Sequence, residues 1–176
     1  MRYPSLLTPA TTEPITLPSG RVVHVPKAEP VFIVWSGEPL TDTYGGKLVL
    51  ELDGKPAFAE LVILRLLQQD GWSGVWVDTY QHKYRTEYWP KNNVALPSAQ
   101  QQLLQSIYQQ AGSTKGCFDV LCWRGQEHLF AESKRHRHDK IRDTQRQWLQ
   151  AALDCGMPLT SFLVVEWALR GERHRE

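Results

Sequence analysis

Sulfur is scarce in this chain: 3 cysteines and 2 methionines among 176 residues. Cys117, Cys122 and Cys155 form no C-x-x-C pair, which argues against a disulfide framework or a thiolate zinc site. They read as buried thiols in a reducing compartment, with two of them inside strands. No apolar run approaches bilayer length, and Met1-Arg2-Tyr3-Pro4-Ser5 has no apolar signal region. The expectation is a cytoplasmic protein with no membrane partner. Net charge is also nearly missing, at +1, so the chain as a whole does not advertise a polyanion. Internal repeats, a Walker loop and a G-x-G-x-x-G pattern are absent, which leaves no glycine cradle for a nucleotide. What remains is an ordinary globular composition, 41% hydrophobic and 22% charged, in a chain long enough for one domain with a full core.

The most informative stretch runs from Gly116 to Lys134. Two apolar-rich runs, Gly116-Cys117-Phe118-Asp119-Val120-Leu121-Cys122-Trp123 and His128-Leu129-Phe130-Ala131-Glu132-Ser133-Lys134, flank Arg124-Gly125-Gln126-Glu127. This pattern predicts a β-hairpin with glycine in its turn. A two-residue loop at Gly125-Gln126 sets Asp119 directly opposite Glu132; a loop at Arg124-Gly125 sets them one diagonal apart on the same face. Strand alternation puts Lys134 on that face as well. Facing carboxylates repel, so a cation between them, either a hard metal ion or a lysine, is the expected compensation.

Asp119 followed by Glu132-Ser133-Lys134 resembles the motif of the PD-(D/E)XK nucleases, with Phe118 where the family name has proline. The following helix, with Gln145 and Trp148-Leu149, is most similar to the virus-type replication-repair nuclease (VRR-NUC) branch. The resemblance spans roughly residues 56 to 167. It implies a restriction-endonuclease-like α/β core, ordered helix-strand-strand-strand-helix-strand, with a mixed sheet flanked by helices. It also implies a magnesium- or manganese-dependent phosphodiesterase acting on DNA. Asp119, Glu132 and the Ser133 carbonyl would hold the ion. Lys134 would orient water or stabilise charge on phosphorus, Gln145 would position Lys134, and Glu60 would assist. A silent nucleic-acid-binding module and a structural subunit, in which the carboxylates merely pair with Lys134 and Arg135, are the alternatives.

In chain order, residues 1–55 read as an N-terminal arm of short β elements at 21–25, 31–35 and 47–52, separated by proline and glycine turns. This arm could extend a binding surface or hold a partner subunit, a homodimer included, or simply pack. Asp53-Gly54-Lys55-Pro56 predicts entry into a helix ending near Asp70, with Pro56 in its first turn. Glu60 shares a helix face with Ile63, Leu64 and Leu67, so it needs a partner: Arg65, a neighbouring element, or a metal or water. Trp72–Tyr80 predicts the first core strand, where Asp78 reads as an ordinary polar residue.

An insertion at about 81–115 interleaves aromatics and bases: Tyr80, His82, Lys83, Tyr84, Arg85, Tyr88, Trp89 and Lys91. Lys83 and Arg85 are candidate nucleic-acid contacts there. Ser98 is expected to cap a helix that ends at Gly112. From Lys134 to Arg146 stand six Lys/Arg and two Asp, a net of +4 against −3 for the remainder, so the positive charge gathers beside the carboxylates. Arg135, Arg137, Lys140, Arg142 and Arg146 are therefore candidate phosphate contacts. Asp139 is expected to cap a helix from about Lys140 to Cys155. A last strand at 161–167 closes the 56–169 domain, and 170–176 reads as a mobile charged tail.

Overall fold

The computed structural model describes residues 2–87 and 93–172. The N-terminal part supplies five strands: β1 (Thr11–Thr16), β2 (Val22–Ala28), β3 (Val31–Val34), β4 (Leu50–Leu52) and β5 (Lys55–Ala57). Then come α1 (Ala59–Gln69), β6 (Ser73–Asp78), β7 (Lys83–Arg85) and α2 (Ser98–Ala111). β8 (Val120–Arg124), β9 (Glu127–Arg135), α3 (Asp143–Asp154) and β10 (Phe162–Leu169) complete the chain.

The strands form one mixed sheet in the order β5-β4-β3-β10-β9-β8-β6-β7, with β1 joined through β2. β8 and β9 are the expected hairpin, antiparallel, with Arg124 opposite Glu127 and Val120 opposite Ala131. β10 returns parallel to β9, as a strand must when a helix crosses over between the two. On its other edge β10 carries two strands in succession. Val164–Val165 pair with Lys27–Ala28 of β2, and Ala168–Leu169 pair with Val31–Phe32 of β3. Pro30, which has no N–H to offer a ladder, sits between those two pairings. The N-terminal arm is therefore woven into the main sheet.

Strand alternation divides the core into two layers. Val120, Cys122, Leu129, Ala131, Leu163 and Val165 face α1, whose buried side chains surround it almost completely. Leu121, Phe130, Phe162 and Val164 face Trp148 and Leu149 of α3 and Leu104 and Ile107 of α2. Phe130, Phe162 and Trp148 pack as an aromatic cluster, with centroids 4.9 to 6.1 Å apart. α1 lies so close to β6 that a Cβ on Gly74 would fall 3.0 Å from Leu64 and 2.4 Å from the Cys122 sulfur.

Several local expectations are corrected. Pro56 belongs to β5: Asp53 and Gly54 both take positive φ, 54° and 70°, and turn a β4–β5 hairpin. The helix starts three residues later, after Phe58. Pro97, not Ser98, precedes α2, and Ser98 is its first helical residue. α3 begins at Asp143, because the Asp139 carboxylate is used to accept the Arg135 N–H at 2.9 Å. Cys117 lies in the loop before β8, and Cys155 is exposed. The tail is fastened at Glu172, which accepts hydrogen bonds from the Leu169 N–H at 3.0 Å and from Arg135 at 2.6 Å. Residues 173–176 lie outside the described residues. No helix among the described residues is long and apolar enough to cross a membrane.

Candidate active site

Asp119 stands one residue before β8, so the hairpin register carries it opposite Glu132. Both belong to the α3-facing set of their strands, with Leu121 and Phe130, and Lys134 follows Glu132 by the same alternation. The ladder between β8 and β9 ends at Val120–Ala131. Beyond it the Asp119 carboxylate takes the place of a backbone partner by accepting the Ser133 N–H at 2.9 Å. A strand residue directs its N–H and C=O to the same edge, so the Ser133 carbonyl leaves β9 on the Asp119 side.

Glu132 is 1% exposed. One of its oxygens, Oε1, takes the Lys134 ammonium at 2.7 Å and the Gln145 amide. The other, Oε2, is buried with no hydrogen-bond partner. Gln145 sits in the first turn of α3 and accepts three residues' attention: its carbonyl oxygen takes the Lys134 ammonium at 3.2 Å and the Arg142 N–H at 2.9 Å, while its amide donates to Glu132. One helix residue thereby fixes both site side chains of β9.

Burial lifts the Asp119 carboxyl well above the ordinary carboxylate range, and the charges of Glu132 and Glu60 push it the same way. The Glu132 carboxyl is also raised by burial, against the pull of Lys134 and Gln145. A buried carboxyl pair with too little positive charge beside it is costly when ionised.

The pair opens into a cleft of about 810 Å³ that Glu60, Ser133, Lys134, Arg142 and Gln145 also line. Glu60 reaches it from α1, on the opposite side of the sheet, and pairs there with Lys47, not with Arg65. Lys47, expected as the first residue of a β element at 47–52, lies in the loop before β4, which begins at Leu50. Its partial burial alone would lower its pKa, but the Glu60, Asp119 and Asp78 charges raise it overall. Asp78 is likewise more than a polar strand residue. It is 3% exposed, takes Arg85 at 2.8 Å and accepts the Tyr44 hydroxyl.

The candidate nucleic-acid contacts separate into groups. Arg85 is 4% exposed and committed to Asp78, so it is a core ion pair and is not presented to a nucleic acid. Arg135 is engaged as well, by Glu172 and over the Trp167 ring at 5.9 Å. Arg137, Lys140 and Arg142 are exposed. Arg137, Lys140 and the half-buried Arg146 line a second hollow of about 420 Å³, which shares Lys134 and Asp139 with the cleft. Lys83 is half-buried and reaches the Gln81 carbonyl at 3.4 Å. Tyr80 and His82 border the cleft, whereas Tyr88, Trp89 and Lys91 lie outside the described residues. Among the described residues, no group of three or more His, Cys, Asp or Glu side chains is gathered for a metal ion, His136 and His138 included. The site has two carboxylates and a carbonyl. Comparison of the chain with protein-family models, curated proteins and solved structures finds no match in any of the three.

Proposed function

We propose that this protein is a divalent-metal-dependent phosphodiesterase that hydrolyses DNA, with a site of the PD-(D/E)XK kind at Asp119, Glu132 and Lys134. The observation that carries this reading is the Asp119–Glu132 pair: two facing carboxyls, Glu132 buried and Asp119 half-buried, both held above their ordinary range, with Glu132 Oε2 unpartnered beside the cleft. The element order α1-β6-β8-β9-α3-β10, with β7 and α2 inserted, and the sheet order β10-β9-β8-β6 support the restriction-endonuclease-like reading of the fold.

The residues fit magnesium or manganese. Hard divalent ions favour oxygen donors and keep several waters, so two carboxylates and one carbonyl suffice. Asp119, Glu132 and the Ser133 carbonyl would hold the ion. Bound there, it supplies a Lewis acid for a phosphoryl oxygen and lowers the pKa of a water. Lys134, braced by Glu132 and Gln145, offers its charge where negative charge grows on phosphorus. Glu60 stands across the cleft as a water-orienting carboxylate. The water oxygen bonds to phosphorus as the bond to the 3′ oxygen breaks, leaving a 5′-phosphate and a 3′-hydroxyl.

A structural subunit, the rival reading, would use lysines only to neutralise the carboxylates. Lys134 does pair with Glu132, but it leaves Oε2 orphaned and Asp119 raised, which is poor design for a purely structural ion pair. The deciding experiment incubates labelled duplex, single-stranded and branched DNAs with the protein, with and without magnesium or manganese. The expected result is metal-dependent cleavage that Asp119→Asn abolishes while DNA binding persists. Failure to cut any of these DNAs with either metal, or full activity in Asp119→Asn, would overturn the proposal.

A further inference from the structure

Two lysines enter the cleft, and they are held very differently. Lys134 is buried, with its ammonium 2.7 Å from Glu132 and 3.2 Å from Gln145. Lys47 pairs with Glu60 alone among the described carboxylates, and its side chain is 35% exposed. It also stands where the cleft meets two smaller hollows, one lined by Tyr44, Tyr80 and Arg85 and the other by Ser133, Arg135 and Trp167.

Its placement is built, not incidental. The Asp42 carboxylate accepts the Tyr44 N–H at 2.7 Å, and the Thr43 carbonyl accepts the Lys47 N–H at 2.8 Å. Between them Tyr44, at φ 54°, sends its ring against Trp76 at 5.5 Å and its hydroxyl to Asp78. The loop from 42 to 47 is thus pinned to the core at Tyr44, and it delivers Lys47 to the opening.

A phosphodiester approaching Asp119 and Glu132 meets three carboxylates, Glu60 included, and needs a cation free to turn toward it. Lys134 cannot leave Glu132 without orphaning a buried charge. Lys47 is the freer of the two, 35% exposed against 10% for Lys134, and the carboxylate it would leave, Glu60, lines the open cleft and is less enclosed than Glu132. Resting on the phosphodiesterase reading above, we propose that Lys47 is a substrate-contacting residue. Its ammonium moves from Glu60 to a non-bridging oxygen of the phosphate held at Asp119 and Glu132, so the N-terminal arm supplies part of the active cleft. Glu60 is then released from the ion pair at the moment the substrate arrives.

The test measures binding of a short fluorescein-labelled DNA duplex by anisotropy over a salt series without divalent metal. The proteins are wild type, Lys47→Met, Lys47→Arg, Glu60→Gln and the Lys47→Met/Glu60→Gln double variant. Lys47→Met is expected to lower the slope of log affinity against log salt by about 0.9, the loss of one phosphate contact, and Lys47→Arg to retain it. Glu60→Gln, which frees Lys47, is expected to bind more tightly, and that gain is expected to vanish in the double variant. The double variant removes both charges together and leaves neither orphaned, so it reports even where Lys47→Met folds poorly. An unchanged slope in Lys47→Met, an equal Glu60→Gln gain with and without Lys47, or no DNA binding by wild type would each overturn the proposal. Magnesium-dependent cleavage by the same proteins is run alongside. A wild type that binds but never cuts sinks the phosphodiesterase reading, while the salt slope still decides Lys47.

Discussion

Asp78 and Asp119, near one end of the sheet, show how neighbouring groups decide what a carboxyl does. Burial opposes ionisation of Asp78, but hydrogen bonds from Tyr44 and Arg85 hold its pKa below the ordinary value. Asp119 has the Ser133 N–H and the charge of Lys134 against desolvation and the like charges of Glu132 and Glu60, and its pKa rises. The signs of linkage are therefore opposite. Asp78 contributes stability that is present above about pH 4 and lost as pH falls through its lowered value. Asp119 favours the folded chain only while protonated, so its contribution worsens as pH rises from about 4 through its raised value. Urea unfolding without metal across this range should show Asp119→Asn more stable than wild type by on the order of 1 kcal/mol at neutral pH, with a flatter dependence. Asp78→Asn should lose about 3 to 5 kcal/mol, because it strands Arg85 in the core. Magnesium should raise the melting temperature of wild type and leave Asp119→Asn unmoved; an equal rise in both would remove Asp119 from the ligand set. The sequence showed Asp119, Glu132 and Lys134 because hairpin register is local. The Asp78–Arg85 pair is missed in the sequence, where Asp78 reads as an ordinary polar residue and Arg85 as a nucleic-acid contact, because the β6–β7 register that sets Arg85 one diagonal from Asp78 carries no turn signal of its own. Lys47 was not legible either, because its contact with Glu60 is made by tertiary packing of a glycine-rich loop.

At the scale of elements, the site depends on how tightly the loop before β8 meets α3. Gly116, at φ 87°, passes so close to α3 that a Cβ there would lie 2.0 Å from the Thr144 carbonyl oxygen. Backbone on both sides cannot yield as a side chain would. Gly116→Ala should therefore cost about 1 to 3 kcal/mol in strain and pull Asp119 and Gln145 apart. The measurements are denaturant unfolding and cleavage rate; wild-type values for both would show that the contact is slack. Long periodic elements were readable: α1, α2, α3 and the β8–β9 hairpin all lie where pattern placed them, apart from their first turns. Those starts were misjudged for identifiable reasons. Asp53-Gly54-Lys55-Pro56 fits a helix lead, but a β4–β5 turn uses the same letters. Asp139, an apt cap by composition, was claimed by the Arg135 N–H.

For the molecule as a whole, the arm is the part that sequence described least well, because β1 carries little apolar periodicity and β2 and β3 acquire their meaning only against β10. Ile15, Leu17, Val23, Val25, Ala28 and Phe32 are all buried through those pairings. At roughly 1.5 to 3 kcal/mol for each large side chain, their loss exceeds much of a typical domain's total stability. Deleting residues 2–34 should therefore unfold the protein and not merely weaken DNA binding. Circular dichroism melting of the truncated chain checks this: a cooperative transition near that of wild type would show the arm to be an accessory.

The weave has one more result, at the rims of the sheet. Among the described residues β1, β5 and β7 each pair on one side only. β1 contains Pro14, β5 is Lys55-Pro56-Ala57, and β7 is three residues long and opens with Lys83. Proline offers no donor to an incoming strand, and lysine resists being covered. Among the described residues, these three rim strands are thus poor templates from which one molecule could extend the sheet of the next. The short strands that finish the fold are also the ones that discourage fibre growth along its rims.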